Sequence, residues 1–133
     1  MIFVDTNYFL RYLLRDTENQ YVEAKEVFLK AAQGNIKLIT STVVFFEVVW
    51  VLRAGYKRIG RSKAELHSTL LKVLNLEVEF PDREVLVDGI NFSLGSSLSL
   101  EDCYHLAFCK SKKVRELKTF DRNLGKNFEK MLK

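Results

Sequence analysis

The sequence predicts an α/β protein in which helices cover a parallel β-sheet. Short apolar runs at residues 2–4, 36–40 and 76–80 have the length and composition of strands, and residues 114–119 supply a fourth. Segments with apolar residues at helical spacing separate these runs. Strands that alternate with helices along a chain form parallel sheets with helices on both faces.

The helices have recognisable ends. Thr6 is one candidate N-cap of the first helix, and Gly34 ends a second helix over residues 19–32. Ser41 or Thr42 can cap a strongly apolar helix that runs to about residue 56. Further helices are expected over residues 61–74, 83–94, 100–110 and beyond 121, and Pro81 closes the third strand.

Length and composition predict one globular domain over residues 1–133, with 47% apolar and 29% charged residues. The two cysteines lie six positions apart in one predicted helix, which suits reduced core thiols better than a disulfide. His67 and His105 are not at zinc-ligand spacing. The start of the chain lacks the pattern of a signal peptide, and the longest apolar block, at 43–52, is too short for a membrane helix. We therefore expect a soluble cytoplasmic protein without membrane contact.

Two acidic residues have placements that indicate chemistry. Asp5 directly follows the first strand, and ligands of parallel sheets bind beyond the carboxyl ends of strands. Its alternative role is to cap the next helix. Glu47 lies inside the apolar block at 43–52, so we expect it to be partly buried. A desolvated carboxylate needs a metal or a partner, and an ion pair with Arg11 or Arg53 is the alternative.

Two further acids complete a candidate constellation. Asp102 lies at the start of a helix that Ser99 can cap, and Asp121 follows the fourth expected strand. Each alone is explained equally well by the preference for acids at helix starts. Four carboxylates around one point repel unless divalent cations separate them, and all-oxygen ligation favours Mg²⁺ or Mn²⁺. Such a site can activate water for phosphodiester cleavage.

The net charge of +4 agrees with this chemistry. If the four carboxylates bind metal, the other side chains sum to +8. A basic body around an acidic pocket suits a substrate with a phosphate backbone.

Several motifs in order resemble the PIN-domain family, and within it the VapC-type toxins of toxin–antitoxin modules. They are MIFVDTN at 1–7, LRYLLRD at 10–16, Glu47 in its Val- and Trp-rich helix, EDCYHLA at 101–107 and TFDR at 119–122. The resemblance implies a PIN fold, which is a Rossmann-like α/β/α sandwich with a central parallel sheet. It also implies an Mg²⁺- or Mn²⁺-dependent endoribonuclease that a cognate antitoxin holds inactive, and a homodimer.

The resemblance also assigns roles to residues. Asp5, Glu47, Asp102 and Asp121 would form the acidic quartet, and Thr6, Asn7 and Thr119 would support it. Arg11 and Arg15, one helical turn apart, are candidate RNA contacts, with a solvated helix face as the alternative. The chain has Asn123 where many relatives carry a further Asp, which predicts a weaker second metal position.

Two other functions are compatible with parts of the pattern. A phosphatase of the haloacid-dehalogenase type also begins with a strand that ends in Asp, but it needs a second Asp where this chain has Asn7. An RNA-binding PIN-like domain without turnover is the non-enzymatic alternative. The four intact acids argue against it.

Overall fold

The structure is a computed structural model that describes all 133 residues, and it contains three short strands and seven helices. Strands β1 (Ile2–Phe3), β2 (Leu38–Ile39) and β3 (Val78–Glu79) form one sheet in the order β1-β2-β3. Both pairings are parallel, with Ile2 opposite Leu38 and Leu38 opposite Val78. The α/β class and the parallel sheet are therefore confirmed.

The chain forms two compact units, residues 1–83 and 84–133. The first contains the sheet and the helices α1 (Thr6–Leu14), α2 (Glu18–Ala32), α3 (Thr42–Arg58) and α4 (Lys63–Leu74). The second contains α5 (Arg83–Leu94, which begins at the boundary), α6 (Leu100–Ser111) and α7 (Arg122–Leu132). The single domain expected over residues 1–133 stays a prediction.

An aromatic cluster holds the first unit together. The ring of Phe9 on α1 lies 5.5 Å from that of Phe28 on α2 and 6.0 Å from that of Phe80 after β3. Phe45 on α3 meets Phe80 edge-on at 6.3 Å. Buried aromatic pairs in tilted or edge-on geometry stabilise a core beyond the area they bury. The cluster therefore fixes α1, α2 and α3 on the sheet.

Side-chain caps set the helix starts in this unit. Ser41 accepts a hydrogen bond from the Val44 N–H and caps α3, as predicted. Ser62 and Glu65 form a reciprocal capping box at α4. At α1 the N-cap is Asp5 and not Thr6, so the capping role considered for Asp5 as an alternative is confirmed.

The second unit has its own apolar cluster. Its buried members are Leu98, Cys103, Leu106, Leu124 and Phe128. A Cβ atom added at Gly89 of α5 would lie 3.1 Å from the Tyr104 Cα atom of α6. A side chain at this position would therefore push the two helices apart by a few tenths of an ångström. Cys103 is buried and Cys109 is partly buried, and neither forms a disulfide.

Residues 114–119 do not form the predicted fourth strand. Val114 and Leu117 both pack against the apolar cluster, and they are three positions apart. A strand alternates its faces every two residues, so this spacing cannot place both side chains on one face of a sheet. Arg115, Glu116 and Lys118 are exposed. The segment thus contributes two apolar side chains without entering a ladder.

The described helices are all too short or too polar to cross a lipid bilayer.

Candidate active site

Asp5 lies where a strand ends and a helix begins. The Val4 N–H donates to the Ile39 carbonyl at 2.9 Å, so sheet pairing continues up to the residue before Asp5. Asp5 then caps α1, and its Oδ1 accepts the Asn7 N–H at 3.0 Å. The residue is exposed, and its Oδ2 makes no hydrogen bond to protein. Both roles considered for Asp5 are therefore compatible, since one oxygen caps the helix and the other is free to bind a ligand.

A cavity of about 320 Å³ opens beside Asp5 between α1 and α2. Two polar bridges cross it. The Tyr8 hydroxyl donates to Glu23 Oε2 at 2.6 Å, and Arg11 Nε donates to Gln20 Oε1 at 2.8 Å. Asn7 and the buried Ala24 complete the lining. A cavity of this size, lined by a guanidinium, a phenol, two amides and the carboxylates of Asp5 and Glu23, is within the range of small-ligand sites.

The two bridges also fix charge and protonation in the cavity. The hydrogen bond to the Glu23 carboxylate raises the pKa of Tyr8, and partial burial and the negative charges of Glu23 and Asp5 add to this effect. Tyr8 therefore remains a neutral hydrogen-bond donor at physiological pH. Arg11 Nη1 also pairs with Asp16 at 3.3 Å, so its guanidinium is held at the rim of the cavity.

Of the residues that line this cavity, Asp5, Asn7 and Arg11 were site candidates from the sequence, whereas Tyr8, Gln20 and Glu23 were missed. The bridging residues are 9 and 15 positions apart on different helices. Their only sequence signal is that both pairs have the same spacing. Tyr8 and Arg11 are three positions apart on α1, and their partners Glu23 and Gln20 are three positions apart on α2. That signal can be read only once the antiparallel pairing of α1 and α2 is known.

Glu47 is exposed, and the expectation that it is partly buried was wrong. The buried positions of α3 include Val44, Val48 and Leu52, all on one face. Glu47 lies on the opposite face with Val43 and Trp50, which are each 69% exposed. The ion pair with Arg11 does not form either, since Arg11 pairs with Asp16. The desolvation argument for Glu47 therefore fails, and its assignment depends on the family motif.

Asp102 and Asp121 both lie at helix starts in the second unit. Asp102 is half-buried in the first turn of α6, and its N–H donates to Ser99 Oγ at 3.1 Å. Asp121 is the exposed N-cap of α7, and its Oδ1 accepts the Leu124 N–H at 3.0 Å. Thr119 Oγ1 accepts a hydrogen bond from the Asp121 N–H at 3.0 Å, so this threonine orients the backbone of the candidate metal-binding residue.

The other sequence candidates have simple surroundings. Arg15 is the C-cap of α1, and its guanidinium lies 4.2 Å from the centroid of the Tyr21 ring. Thr6 is half-buried in the first turn of α1. Asn123 Oδ1 accepts a 3.3 Å hydrogen bond from Asn127 Nδ2 within α7.

The structure does not bring three or more His, Cys, Asp or Glu side chains together as a metal site. Asp5 and Glu47 belong to residues 1–83, and Asp102 and Asp121 belong to residues 84–133. The donor chemistry does fit a hard divalent cation, because all four groups are carboxylates. Three of the four are exposed, so their oxygens are open to solvent ions.

Comparison with known proteins places the chain in a family. The PIN domain family model matches residues 2–129, a range that includes all four carboxylates. Ribonuclease VapC23 of Mycobacterium tuberculosis, from two strains, is 31% identical over 130 residues, which are 96% of this chain and 98% of that protein. No solved structure matches significantly. The chain therefore belongs to the PIN-domain family, as a protein of the VapC type.

Proposed function

We propose that this protein is an Mg²⁺- or Mn²⁺-dependent endoribonuclease that hydrolyses RNA phosphodiester bonds as the toxin of a toxin–antitoxin pair. Its membership of the VapC-type PIN proteins supports this proposal, as does its similarity to a relative named as a ribonuclease. The observation that carries it furthest is the position of Asp5. This carboxylate follows β1, has a free oxygen and lines a cavity of about 320 Å³ together with Arg11.

Each residue of the site has a proposed role. Asp5, Glu47, Asp102 and Asp121 would hold the divalent cation. When bound, the cation would lower the pKa of a water molecule and stabilise charge on the leaving oxygen. Arg11 offers the unpaired Nη2 of its guanidinium to a phosphate beside Asp5. Tyr8 donates a hydrogen bond as a neutral phenol, and Thr119 holds the backbone of Asp121.

The surface of the first unit also agrees with a protein partner. Val43 and Trp50 expose apolar area on the face of α3 that carries Glu47. Exposed apolar residues that lie together on one helix face are typical of protein contacts. A homodimer and the cognate antitoxin are the partners in this proposal.

The decisive experiment compares Asp5→Asn with Asp88→Asn, an exposed acid of α5 outside the quartet. Purified proteins are incubated with a mixed RNA substrate in Mn²⁺, in Mg²⁺ and in EDTA, and the cleaved ends are sequenced. We expect cleavage by the wild type and by Asp88→Asn with metal, none in EDTA, and a loss of at least about 10²-fold in Asp5→Asn.

Other outcomes would favour other functions. RNA binding that ignores metal, without cleavage, would identify an RNA-binding domain. Turnover of small phosphate monoesters without RNA cleavage would identify a phosphatase. Undiminished cleavage by a folded Asp5→Asn protein would remove Asp5 from the active site.

A further inference from the structure

A second cavity, of about 340 Å³, lies in the second unit, where α6 ends and α7 finishes. We call it the basic cavity. Its charged lining residues are Lys110, Lys113 and Arg115, and its apolar lining residues are Cys109, Val114, Met131 and Leu132. No carboxylate side chain lines it. This combination of three cations around an apolar floor is absent from the cavity beside Asp5.

The cations of the basic cavity have no counter-ion in the protein. None of the three forms an ion pair, and the acid nearest to them in sequence, Glu116, is already paired with Lys118. Lys110 lies over the ring of Phe92 at 5.6 Å from its centroid, a contact that holds the ammonium group without neutralising it. Like charges around one cavity repel, and a bound anion relieves that repulsion.

The positive charge of the whole chain is concentrated in this region. Residues 110–133 contain nine basic and three acidic side chains, for a net charge of +6. Residues 1–109 contain twelve basic and fourteen acidic side chains, for a net charge of −2. The overall charge of +4 therefore arises entirely from the segment that contains the basic cavity.

The backbone at the end of α6 shapes this site. The Val114 N–H donates to the Cys109 carbonyl at 2.9 Å, and the Lys113 N–H donates to the Lys110 carbonyl at 3.1 Å. These two bonds form a Schellman motif, in which the residue after the C-cap is usually glycine. Here that residue is Lys113, in the left-handed region with φ of 56°. A lysine thus occupies a position where the backbone conformation favours glycine.

The floor of the cavity is neutral and apolar. Burial raises the pKa of the Cys109 thiol, so the group remains protonated and does not compete for the lysines. The apolar side chains of the floor are partly buried and pack against the apolar cluster of this unit, namely Val114, Met131 and Leu132. The surface thus combines cations that can bind phosphate groups with an apolar floor that can contact the face of a nucleobase.

We propose that the basic cavity is a second RNA-binding site, where Lys110, Lys113 and Arg115 bind backbone phosphates of a single-stranded segment outside the carboxylate site. The proposal rests on the ribonuclease function above for the identity of the polyanion. The basic cavity would contribute affinity for RNA without a preference for sequence, because phosphate contacts carry no sequence information.

The test measures how RNA affinity depends on salt. A 2′-O-methylated single-stranded RNA, which resists cleavage, is titrated in EDTA at several NaCl concentrations by fluorescence anisotropy. The triple variant Lys110→Gln, Lys113→Gln, Arg115→Gln is compared with the wild type. Each single-strand phosphate contact contributes about 0.7 to the slope of log K against log salt, so three lost contacts reduce the slope by about 2. We also expect affinity at low salt to fall by roughly tenfold or more.

A charge-matched control separates a site from general attraction. Lys25, Lys57 and Lys72 are exposed lysines of the first unit that form no ion pairs, and all three are changed to Gln. The control should keep the slope of the wild type. Equal slopes in all three proteins, or equal losses in the two variants, would overturn the proposal. Circular dichroism checks that the triple variant is folded, which we expect because its three side chains are exposed.

The two proposals can fail separately. If the wild type never cleaves RNA but the triple variant shows the reduced slope, the basic cavity stands and the nuclease function falls. If the wild type cleaves RNA and the triple variant has an unchanged slope and KM, only the basic cavity falls. Loss of binding to an acidic peptide in the triple variant, with RNA affinity unchanged, would assign the cavity to a protein partner and overturn the RNA site.

Discussion

The hydroxyl of Tyr8 donates a 2.6 Å hydrogen bond to Glu23 Oε2 and so joins α1 to α2 beside Asp5. Arg11 and Gln20 form a second bridge one turn further along α1. Asp5 caps the same helix. The orientation of α1, and with it the direction of the free Asp5 oxygen, therefore depends on contacts with α2.

Tyr8→Phe should lower stability by about 1 kcal/mol, because it removes one hydrogen bond to a charged group that is partly solvated. RNA cleavage should fall by less than about tenfold, because the ring and Asp5 both remain. Thermal unfolding and initial cleavage rates measure the two effects. Tyr21→Phe, on the same helix pair but outside the cavity, is the control. Equal melting temperatures for Tyr8→Phe and the wild type would show that the bridge does not form in solution.

The hydrogen bond between Tyr8 and Glu23 should stabilise the protein over a defined pH range. This bond raises the pKa of Tyr8 in the folded state above that of the unfolded chain. Its contribution is complete below the unfolded value of about 10 and is lost as pH rises through the folded value. The stability difference between the wild type and Tyr8→Phe should therefore stay constant from pH 6 to about 9. A difference that shrinks at neutral pH would contradict this assignment.

His67 should make the first unit sensitive to acid. Its side chain is only 3% exposed, its Nδ1 lies 2.6 Å from the Lys63 carbonyl, and its Nε2 has no partner. Nδ1 must carry the proton to donate, so a second proton would create a buried cation at Nε2. Burial accordingly lowers the pKa of His67 below its usual value.

The direction of the resulting pH effect follows from proton binding. The unfolded chain binds a proton to this histidine at a higher pH than the folded chain does. The contribution of neutral His67 to the free energy of unfolding is therefore complete above the unfolded pKa of about 6.5. It decreases as pH falls towards the pKa of His67 in the folded state. His67→Leu should reduce the difference in melting temperature between pH 7 and pH 5. His105→Leu, at an exposed position, controls for the general effect of replacing a histidine by leucine. If both variants behave like the wild type, His67 does not titrate in this range.

The sequence predicts the fold better than it predicts the site. The three paired strands and the caps Ser41 and Ser99 agree with expectation, because apolar runs and capping preferences are local signals. The exposure of Glu47 was not predictable from its apolar neighbours. Those neighbours include Val43 and Trp50, which also face outwards, and only the packing of α3 decides which face is buried.

A second limit concerns residues 114–119. Their β-branched and apolar residues resemble a strand, but strand formation needs a partner with free backbone groups. Tertiary packing through Val114 and Leu117 decides the outcome here. Similarly, capping by Asp5 was considered from sequence, but its combination with a free oxygen beside a cavity required the structure.

Trp50→Ser should weaken self-association if the exposed face of α3 is the contact between two copies. Trp50 is 69% exposed on a helix whose opposite face is buried, and aromatic residues at interface centres contribute about 2 kcal/mol or more. Light scattering after size exclusion should show a dimer for the wild type and a monomer for the variant at the same concentration. Leu29→Ser, at an exposed apolar position of α2, is the control. A monomeric wild type would exclude the homodimer under those conditions.

Lys113→Gly should stabilise the protein while weakening its binding to RNA. The left-handed backbone at Lys113 is unfavourable for a residue with a Cβ atom, so glycine should raise the free energy of unfolding by about 1 kcal/mol. The same change removes one cation from the basic cavity and should reduce the salt slope by about 0.7. Chemical denaturation and the anisotropy titration measure the two quantities. A gain in stability together with a smaller salt slope would show that Lys113 contributes to RNA binding at the expense of backbone stability. A gain in stability with an unchanged slope would mean that Lys113 makes no phosphate contact.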